Sequence, residues 1–392
     1  MLALHTQGTI AGPGSLPPVA KILTLEEALK EDHWIPDALI DQRQSTSVAE
    51  PSALVGIGVG GLLVGSPMPG SPLPQLHSLR APEVVKPGDV IRIQPSGKIQ
   101  VLFRRGANAN SLFVTERCNS NCIMCSQPPV DSDDRWRLSE FNRLISLIDP
   151  TLDFLGVTGG EPTLLGDDLL NLLHFATAKL PATTFHILTN GRLFEDERYA
   201  KLFRPLRGKA VWAIPLYGCT PHSHDFVVQS GGAFASTLHG LMNLGEDGHR
   251  IELRCVLVAQ TARKLPLIAE FIQRNLPFVE HIAFMGVEPM GFARGNRELI
   301  WIDPQDFSAS LVQAVRDLDA AGLSVSVYNL PLCVLDRELW PFARRSISDW
   351  KNVYTPECDR CSIQEQCGGI FRSTDPNWRG RTFGPIAEGV SQ

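Results

Sequence analysis

Cys118, Cys122 and Cys125 fall within eight residues of a 392-residue chain that has nine cysteines in all. Three thiolates at a four-then-three spacing suit a metal centre that keeps one position open. A closed structural zinc site takes four protein donors, whereas a four-iron cluster held by three cysteines leaves one iron for a ligand that is not protein. Zinc completed by a distant histidine, or a set of redox thiols, are the alternatives for such a triplet. A second set lies downstream, Cys333 and then Cys358, Cys361 and Cys367 followed by Gly368-Gly369. Four thiolates close a shell around zinc or around an iron–sulfur cluster, and spacing alone does not choose between them. In YGCTPHSHD, Cys219 stands beside His222 and His224, a pattern open to metal binding or proton relay; the bland reading, a substrate-facing loop with solvated histidines, is adopted. Cys255, inside LRCVLV, reads as core.

The elements that must position these groups follow from the hydrophobic pattern. After residue 110, short apolar strands at Leu112 to Thr115, Phe154 to Thr158, Thr184 to Thr189, Ala210 to Leu216, Ile251 to Val258 and His281 to Met285 alternate with helical periodicity. The helices are expected over Leu138 to Ile148, Asp167 to Lys179, Glu195 to Phe203, Phe234 to Leu244 and Leu265 to Gln273, with Gln305 to Ala321 after the last strand. Six βα units in series predict an α/β fold, a partial (β/α)6 barrel with a parallel sheet and helices outside, and Val325 to Tyr328 opens a tail beyond it. Chemistry in such a barrel gathers at the C-terminal ends of the strands. The three cysteines follow strand one, Gly159-Gly160-Glu161-Pro162 follows strand two, Asn190-Gly191 follows strand three, and Tyr217 to Asp225 follows strand four.

The N-terminal part reads differently. Residues 11 to 82 are dense in Pro, Gly and Ser, with one helix candidate, Thr24 to Lys30. VVKPGDVIRIQPSGKIQVLFRR then gives two alternating runs around Pro95-Ser96-Gly97, a hairpin in a small β module that precedes the main domain. The expected division is a Pro/Gly-rich region with this module over 1–106, the barrel over 107–322 and a Cys-rich extension over 323–392. Lys plus Arg number 36 against 42 Asp plus Glu, a net charge of −6 without a dense basic run, which argues against a nucleic-acid partner. MLALHTQGTI lacks the basic flank and apolar core of a secretory signal, and Leu54 to Val64 is too short to span a bilayer. The expectation is a cytoplasmic protein with no membrane association, where clustered cysteines hold metal more often than they form disulfides.

Cys118-x3-Cys122-x2-Cys125 after the first strand, with GGEP after the second, resembles the radical S-adenosylmethionine (radical SAM) superfamily. The resemblance implies a [4Fe-4S] cluster on the three thiolates, with S-adenosylmethionine on the open iron through its amino and carboxylate groups. An external one-electron donor of the flavodoxin or ferredoxin type would then drive cleavage to a 5′-deoxyadenosyl radical. It implies that Gly159 and Gly160 admit the methionyl amino group, that Glu161 faces that ammonium or fixes the loop, and that Pro162 restrains the turn. Thr189 and Asn190 stand where the family often contacts the cofactor, though a turn-forming Asn-Gly explains them equally well, and Arg254 on strand five could reach the cofactor carboxylate or be an ordinary solvated arginine. Met124 departs from the pattern, because the family usually has an aromatic residue there against the adenine; a thioether also packs on a purine face. The C-terminal cysteines resemble the auxiliary-cluster (SPASM or twitch-like) extension of radical SAM peptide maturases, which implies a second [4Fe-4S] cluster on Cys333, Cys358, Cys361 and Cys367. LFVTERCNSNCIMCSQPP, GVTGGEPTLLG and the CDRC…CGG tail are most similar to the HxsC-type maturases of the His-Xaa-Ser system, over about residues 84 to 392. That implies a ribosomally made precursor peptide as substrate, with partner maturation proteins. A radical SAM enzyme acting on another peptide or a small molecule, and a zinc-binding interaction protein, are the rival readings.

Overall fold

The computed structural model describes residues 4–31, 33–43, 51–346 and 351–387. The first three residues of the N-terminal stretch read for a signal lie outside them. The chain divides into two compact units, one from Met1–Leu112, Arg135–Asp153 and Phe175–Thr183, the other from Phe113–Asp134, Phe154–His174 and Thr184–Gln392.

The first unit is built on more strands than its turn-rich sequence suggests. They are β1 (His5–Gln7), β2 (Thr9–Ala11), β3 (Val19–Leu23), β4 (Ala38–Asp41), β5 (Gly61–Leu63), β6 (Gln75–His77), β7 (Val90–Ile93) and β8 (Lys98–Phe103), in the order β1-β8-β7-β3-β4-β5-β6-β2. β1 and β2 stand at opposite ends of that order yet are separated only by Gly8. One segment therefore pairs with β8 on one side and β6 on the other, and the sheet closes on itself. A side chain at Gly8 would meet Leu79 and Leu76 at 2.6 and 3.0 Å. The expected hairpin is β7 and β8, with Gly97 at φ +80° in its turn. The expected helix is Leu25–Ala28, started by a capping box between Thr24 and Glu27. Helix Trp136–Leu147 joins this unit through an Arg92 to Glu140 ion pair.

The second unit holds the barrel sheet: β9 (Ser111–Phe113), β10 (Phe154–Thr158), β11 (Thr184–Leu188), β12 (Ala210–Pro215), β13 (Arg250–Val256), β14 (His281–Met285), β15 (Ser324–Tyr328) and β16 (Ala343–Arg344), in sequential order. From β10 to β16 every neighbouring pair is parallel, which is the partial barrel expected. Val325 to Tyr328, expected to open the tail, instead falls in β15, which pairs in parallel with β14 and extends the sheet. One face of the sheet is buried, with Phe185, Trp212, Leu253, Phe284 and Val327 at 1% exposure or less. The other face carries His186, Glu252, Arg254, His281, Ser326 and Tyr328, as period-two alternation along a strand requires. A helix at Pro221–Val228 occupies the stretch read as a loop: Thr220 caps it by accepting from the Ser223 N–H, Pro221 sits in its first turn, and Gln229 ends it at φ +53°.

Candidate active site

The loop carrying the three cysteines hangs between three supports. The N–H groups of Asn121 and Ile123 donate to the carbonyls of Val228 and Val227, 3.0 and 2.9 Å away at the end of helix Pro221–Val228. The Asn296 side chain donates to the Ile123 carbonyl at 2.8 Å, and the Phe292 N–H to that of Cys125 at 2.9 Å. The third support is polar and comes from the end of β11. There the Asn190 amide donates to Asn119 Oδ1 at 2.5 Å, and Arg192 Nη1 donates to the Asn119 carbonyl at 2.7 Å. Arg192 and Asn119 carry no motif and escape sequence reading; the one available signal is a cation immediately after a strand-end Asn-Gly.

Gly159 and Gly160 allow two backbones to touch. A Cβ on Gly160 would lie 2.2 Å from the Arg117 carbonyl oxygen, and one on Gly159 would lie 2.5 Å from that of Thr115. The Gly160 and Glu161 N–H groups donate to those same two carbonyls, of Thr115 and Arg117, at 2.8 Å each. These glycines press the second loop onto the segment that leads into Cys118. Glu161 is wholly buried, and its carboxylate fixes loops: Oε1 accepts from Thr163 N at 3.0 Å and from the Thr163 and Thr189 hydroxyls at 2.6 Å, and Oε2 accepts from Asn190 N at 2.6 Å. Burial pushes the Glu161 carboxyl up, and the four donors oppose that. Pro162 opens the short 3-10 turn Pro162–Leu165 behind it.

Met124 is buried, at 7% exposure. Tyr217 is buried at the end of β12, and its phenol is held well above the usual range by burial and then by the nearby Cys122. Arg254 is not an ordinary solvated arginine: its side chain is 19% exposed, with Nη2 on Met285 Sδ at 3.1 Å and Nε 3.5 Å from Glu252. Glu252 also lies 3.4 Å from His186 Nε2 and 2.9 Å from His281 Nδ1, and His281 Nε2 is 3.0 Å from Ser326 Oγ. Apart from Arg254 this polar inner face carries no motif, although the alternation RIELRCV announces it, since a parallel strand buried on both faces would be apolar throughout. His224 is 1% exposed and packs between Tyr217 and Phe234, with burial lowering its pKa to about 4. The solvated reading therefore fails for His224 and holds for exposed His222, because the helix at Pro221–Val228 turns the two apart. Cys255 is buried in the core, at 4% exposure.

The thiols fit a multivalent cluster. Burial, with Glu161 and Cys125 adding to it, pushes the Cys118 thiol up to about 11. Burial and then Cys125 and Cys118 push Cys122 up to about 12, and burial raises Cys125. Three mutually repelling thiols are poor thiolates alone, and become good ones only when a metal takes up their charge. Among the described residues no three His, Cys, Asp or Glu side chains converge tightly enough to share one ion. A cubane takes one thiolate per iron, so three thiols on one loop are the donor set that three of its corners need.

The four C-terminal cysteines line one small apolar pocket with Val353, Ile370 and Phe383 among its walls. Backbone N–H groups point at their sulfurs: Leu332 and Gly369 at Cys367 (3.4 and 3.3 Å), and Ile386 at Cys361 (3.4 Å). Burial, with Cys367 and Cys358 adding to it, pushes Cys333 up to about 11. An antiparallel bridge between Val353 and Ile370 and the Tyr354 hydroxyl on the Cys367 carbonyl at 2.7 Å close the pocket.

Residues 112–272 match the family described as the Radical SAM superfamily. The chain carries a radical SAM domain. That match contains the three loop cysteines, GGEP, Asn190, Arg192 and Arg254, and ends before the C-terminal set. Over 223 residues the chain is 27% identical to Fe-coproporphyrin III synthase of Methanosarcina barkeri (strain Fusaro / DSM 804), covering 55% of this chain and 53% of that protein. The chain thus spans about half the length of the curated relative it matches. Among solved structures, Streptococcus suis SuiB bound to S-adenosylmethionine is 17% identical with a TM-score of 0.44, over 55% of this chain and 49% of that one. Native anSMEcpe with bound AdoMet and Kp18Cys peptide is 19% identical with a TM-score of 0.45, over 55% of this chain and 63% of that one.

Proposed function

We propose that this chain is a radical SAM enzyme that modifies a ribosomally made peptide of the His-Xaa-Ser type. The observation that supports the chemistry is the grouping of three half-buried thiols on one loop, clamped from the ends of β10 and β11. A [4Fe-4S] cluster on Cys118, Cys122 and Cys125 supplies an iron for S-adenosylmethionine and the electron that turns it into a hydrogen-abstracting radical. Glu161 and Asn190 hold the loops around that centre, Met124 and Tyr217 line its apolar side, and the face with Arg254 and Glu252 presents polar groups to what binds against the sheet. A second [4Fe-4S] cluster sits on Cys333, Cys358, Cys361 and Cys367, all four sites filled by protein, which suits electron transfer or support. The division into residues 1–106, 107–322 and 323–392 assigns chemistry to the last two parts only. The peptide assignment rests on the motif resemblance to His-Xaa-Ser maturases and carries with it partner maturation proteins and a flavodoxin- or ferredoxin-type donor. Nine cysteines free of disulfides suit the cytoplasm, and no described helix is long and apolar enough to cross a membrane.

Anaerobic reconstitution tests the reading: about eight irons per chain are expected for two cubanes. Cys122→Ala should abolish 5′-deoxyadenosine formation and leave the C-terminal centre, while Cys333→Ala should remove about half the iron. Stoichiometric zinc with negligible iron overturns the proposal. A mass change in a peptide whose gene neighbours this one and encodes His-Xaa-Ser repeats supports the narrower substrate; conversion of a tetrapyrrole instead would exclude it.

A further inference from the structure

Arg192 has no place in the chemistry so far, yet it is the cation that meets the cysteine loop from below. Nη1 donates to the Asn119 carbonyl at 2.7 Å, to Ser120 Oγ at 3.2 Å and to Ser230 Oγ at 2.9 Å. Its backbone N–H donates to Asn190 Oδ1 at 3.1 Å, and the same Asn190 side chain donates to Asn119 Oδ1. Its side-chain hydrogen bonds all go to neutral oxygens, and its Nε is buried without a partner. A guanidinium held on three neutral oxygens gains nothing from charge pairing, so its burial calls for another reason. The geometry of its partners supplies one. Asn119 and Ser120 directly follow Cys118, so this one cation holds the backbone that leaves the first cysteine of the triplet.

We propose that Arg192 is a positioning residue for the cluster: it holds Asn119 and Ser120 so that Cys118, just before them, keeps its place at one corner of the site. This rests on the radical SAM reading of the three cysteines. A guanidinium bonded to the chain beside a ligating cysteine steadies that ligand, and its charge favours the reduced, more negative state. Losing Arg192 therefore loosens one corner of the site and makes its cluster harder to reduce. The Cys333, Cys358, Cys361 and Cys367 pocket receives no bond from Arg192 and serves as an internal control.

The test is anaerobic reconstitution of the full chain as wild type, Arg192→Gln and Arg192→Lys, read by iron content, by the electron paramagnetic resonance of the reduced protein with and without S-adenosylmethionine, and by a redox titration. Arg192→Gln should retain about half the iron, with loss confined to the signal that S-adenosylmethionine perturbs, and any remaining cluster there should titrate at a more negative potential. Arg192→Lys keeps the charge and three donors but not the fork, so its iron content should fall between the two. Full iron with an unshifted potential in Arg192→Gln overturns the proposal. Equal loss of both signals together with a lowered melting temperature also overturns it, because the effect would then be on the fold. A wild type that takes up no iron defeats the radical SAM reading itself, an outcome distinct from either.

Discussion

Alanine at position 160 adds one methyl group where the structure leaves no room for it. The new Cβ would stand 2.2 Å from the Arg117 carbonyl oxygen, 2.7 Å from its carbonyl carbon and 2.9 Å from the Glu116 carbonyl oxygen. All three neighbours are backbone, so no rotamer change relieves the clash. Reaching even 3.0 Å from the nearest oxygen requires the two loops to part by about 0.8 Å, which breaks the 2.8 Å bonds that join them and moves the segment leading into Cys118. Overpacking of this kind costs about 1–3 kcal/mol of stability, and a displacement near 1 Å at a reacting centre costs on the order of a hundredfold in rate. Gly160→Ala should therefore form 5′-deoxyadenosine about a hundredfold more slowly than wild type under dithionite. Gly295→Ala is the matched control, since its Cβ meets nothing within 4 Å. A Gly160→Ala enzyme that cleaves S-adenosylmethionine within about twofold of wild type would show that the close approach of these loops is unrelated to the chemistry.

Glu161→Gln replaces a carboxylate that accepts four hydrogen bonds with an amide whose N–H2 must face donors, and should cost about 2 kcal/mol or more in denaturant unfolding; an unchanged midpoint would contradict the loop-fixing role. Glu252 responds to pH. Burial pushes its pKa up, but the hydrogen bonds from His186 and His281, with the charges of His186 and Arg254, outweigh this and hold it well below the usual range. A carboxyl whose folded pKa is depressed stabilises the fold above its unfolded pKa and loses that contribution as pH falls through the folded value. Glu252→Gln should therefore be less stable than wild type at pH 7, by about 3 kcal/mol, and the difference should shrink progressively as the pH falls below about 4; a difference constant with pH would refute the pairing.

What the sequence disclosed depended on whether the physics was local. The cysteine triplet and GGEP could be read because each packs its chemistry into a few consecutive residues, and the strands behind them because four or five apolar residues in a row need a buried sheet. Helix Pro221–Val228 was hidden by its composition, two histidines, a serine and an aspartate inside one turn-like stretch; yet Thr220 followed by Pro221 is a start signal, and Val227 and Val228 are what it buries. The first unit hides its strands for a related reason. Its β5 and β6 are three residues each, too short to show alternation, and their side chains are buried by the closure at Gly8 that no pattern in the sequence announces.

The same distinction explains why the motif residues were named before their partners. Cys118 needs to be a cysteine because of the atom it offers, and that demand is visible at its own position. Asn119, Asn190 and Arg192 are needed only because β9 and β11 bring their loops together, 71 and 73 residues apart along the chain. Nothing about an arginine after Asn190-Gly191 distinguishes it from a solvated one until the carbonyl it bonds is known to be the one beside Cys118. Glu161 shows the reverse case: its presence was legible and its task was not, because a carboxylate facing a bound ammonium and one clamped by Thr163, Thr189 and Asn190 leave the same letter in the sequence. Four donors within 3.0 Å decide between them, since a carboxylate already saturated by its own chain has little left to offer a ligand. Glu161→Gln should therefore act through the loop alone and weaken S-adenosylmethionine binding in proportion to the stability it loses.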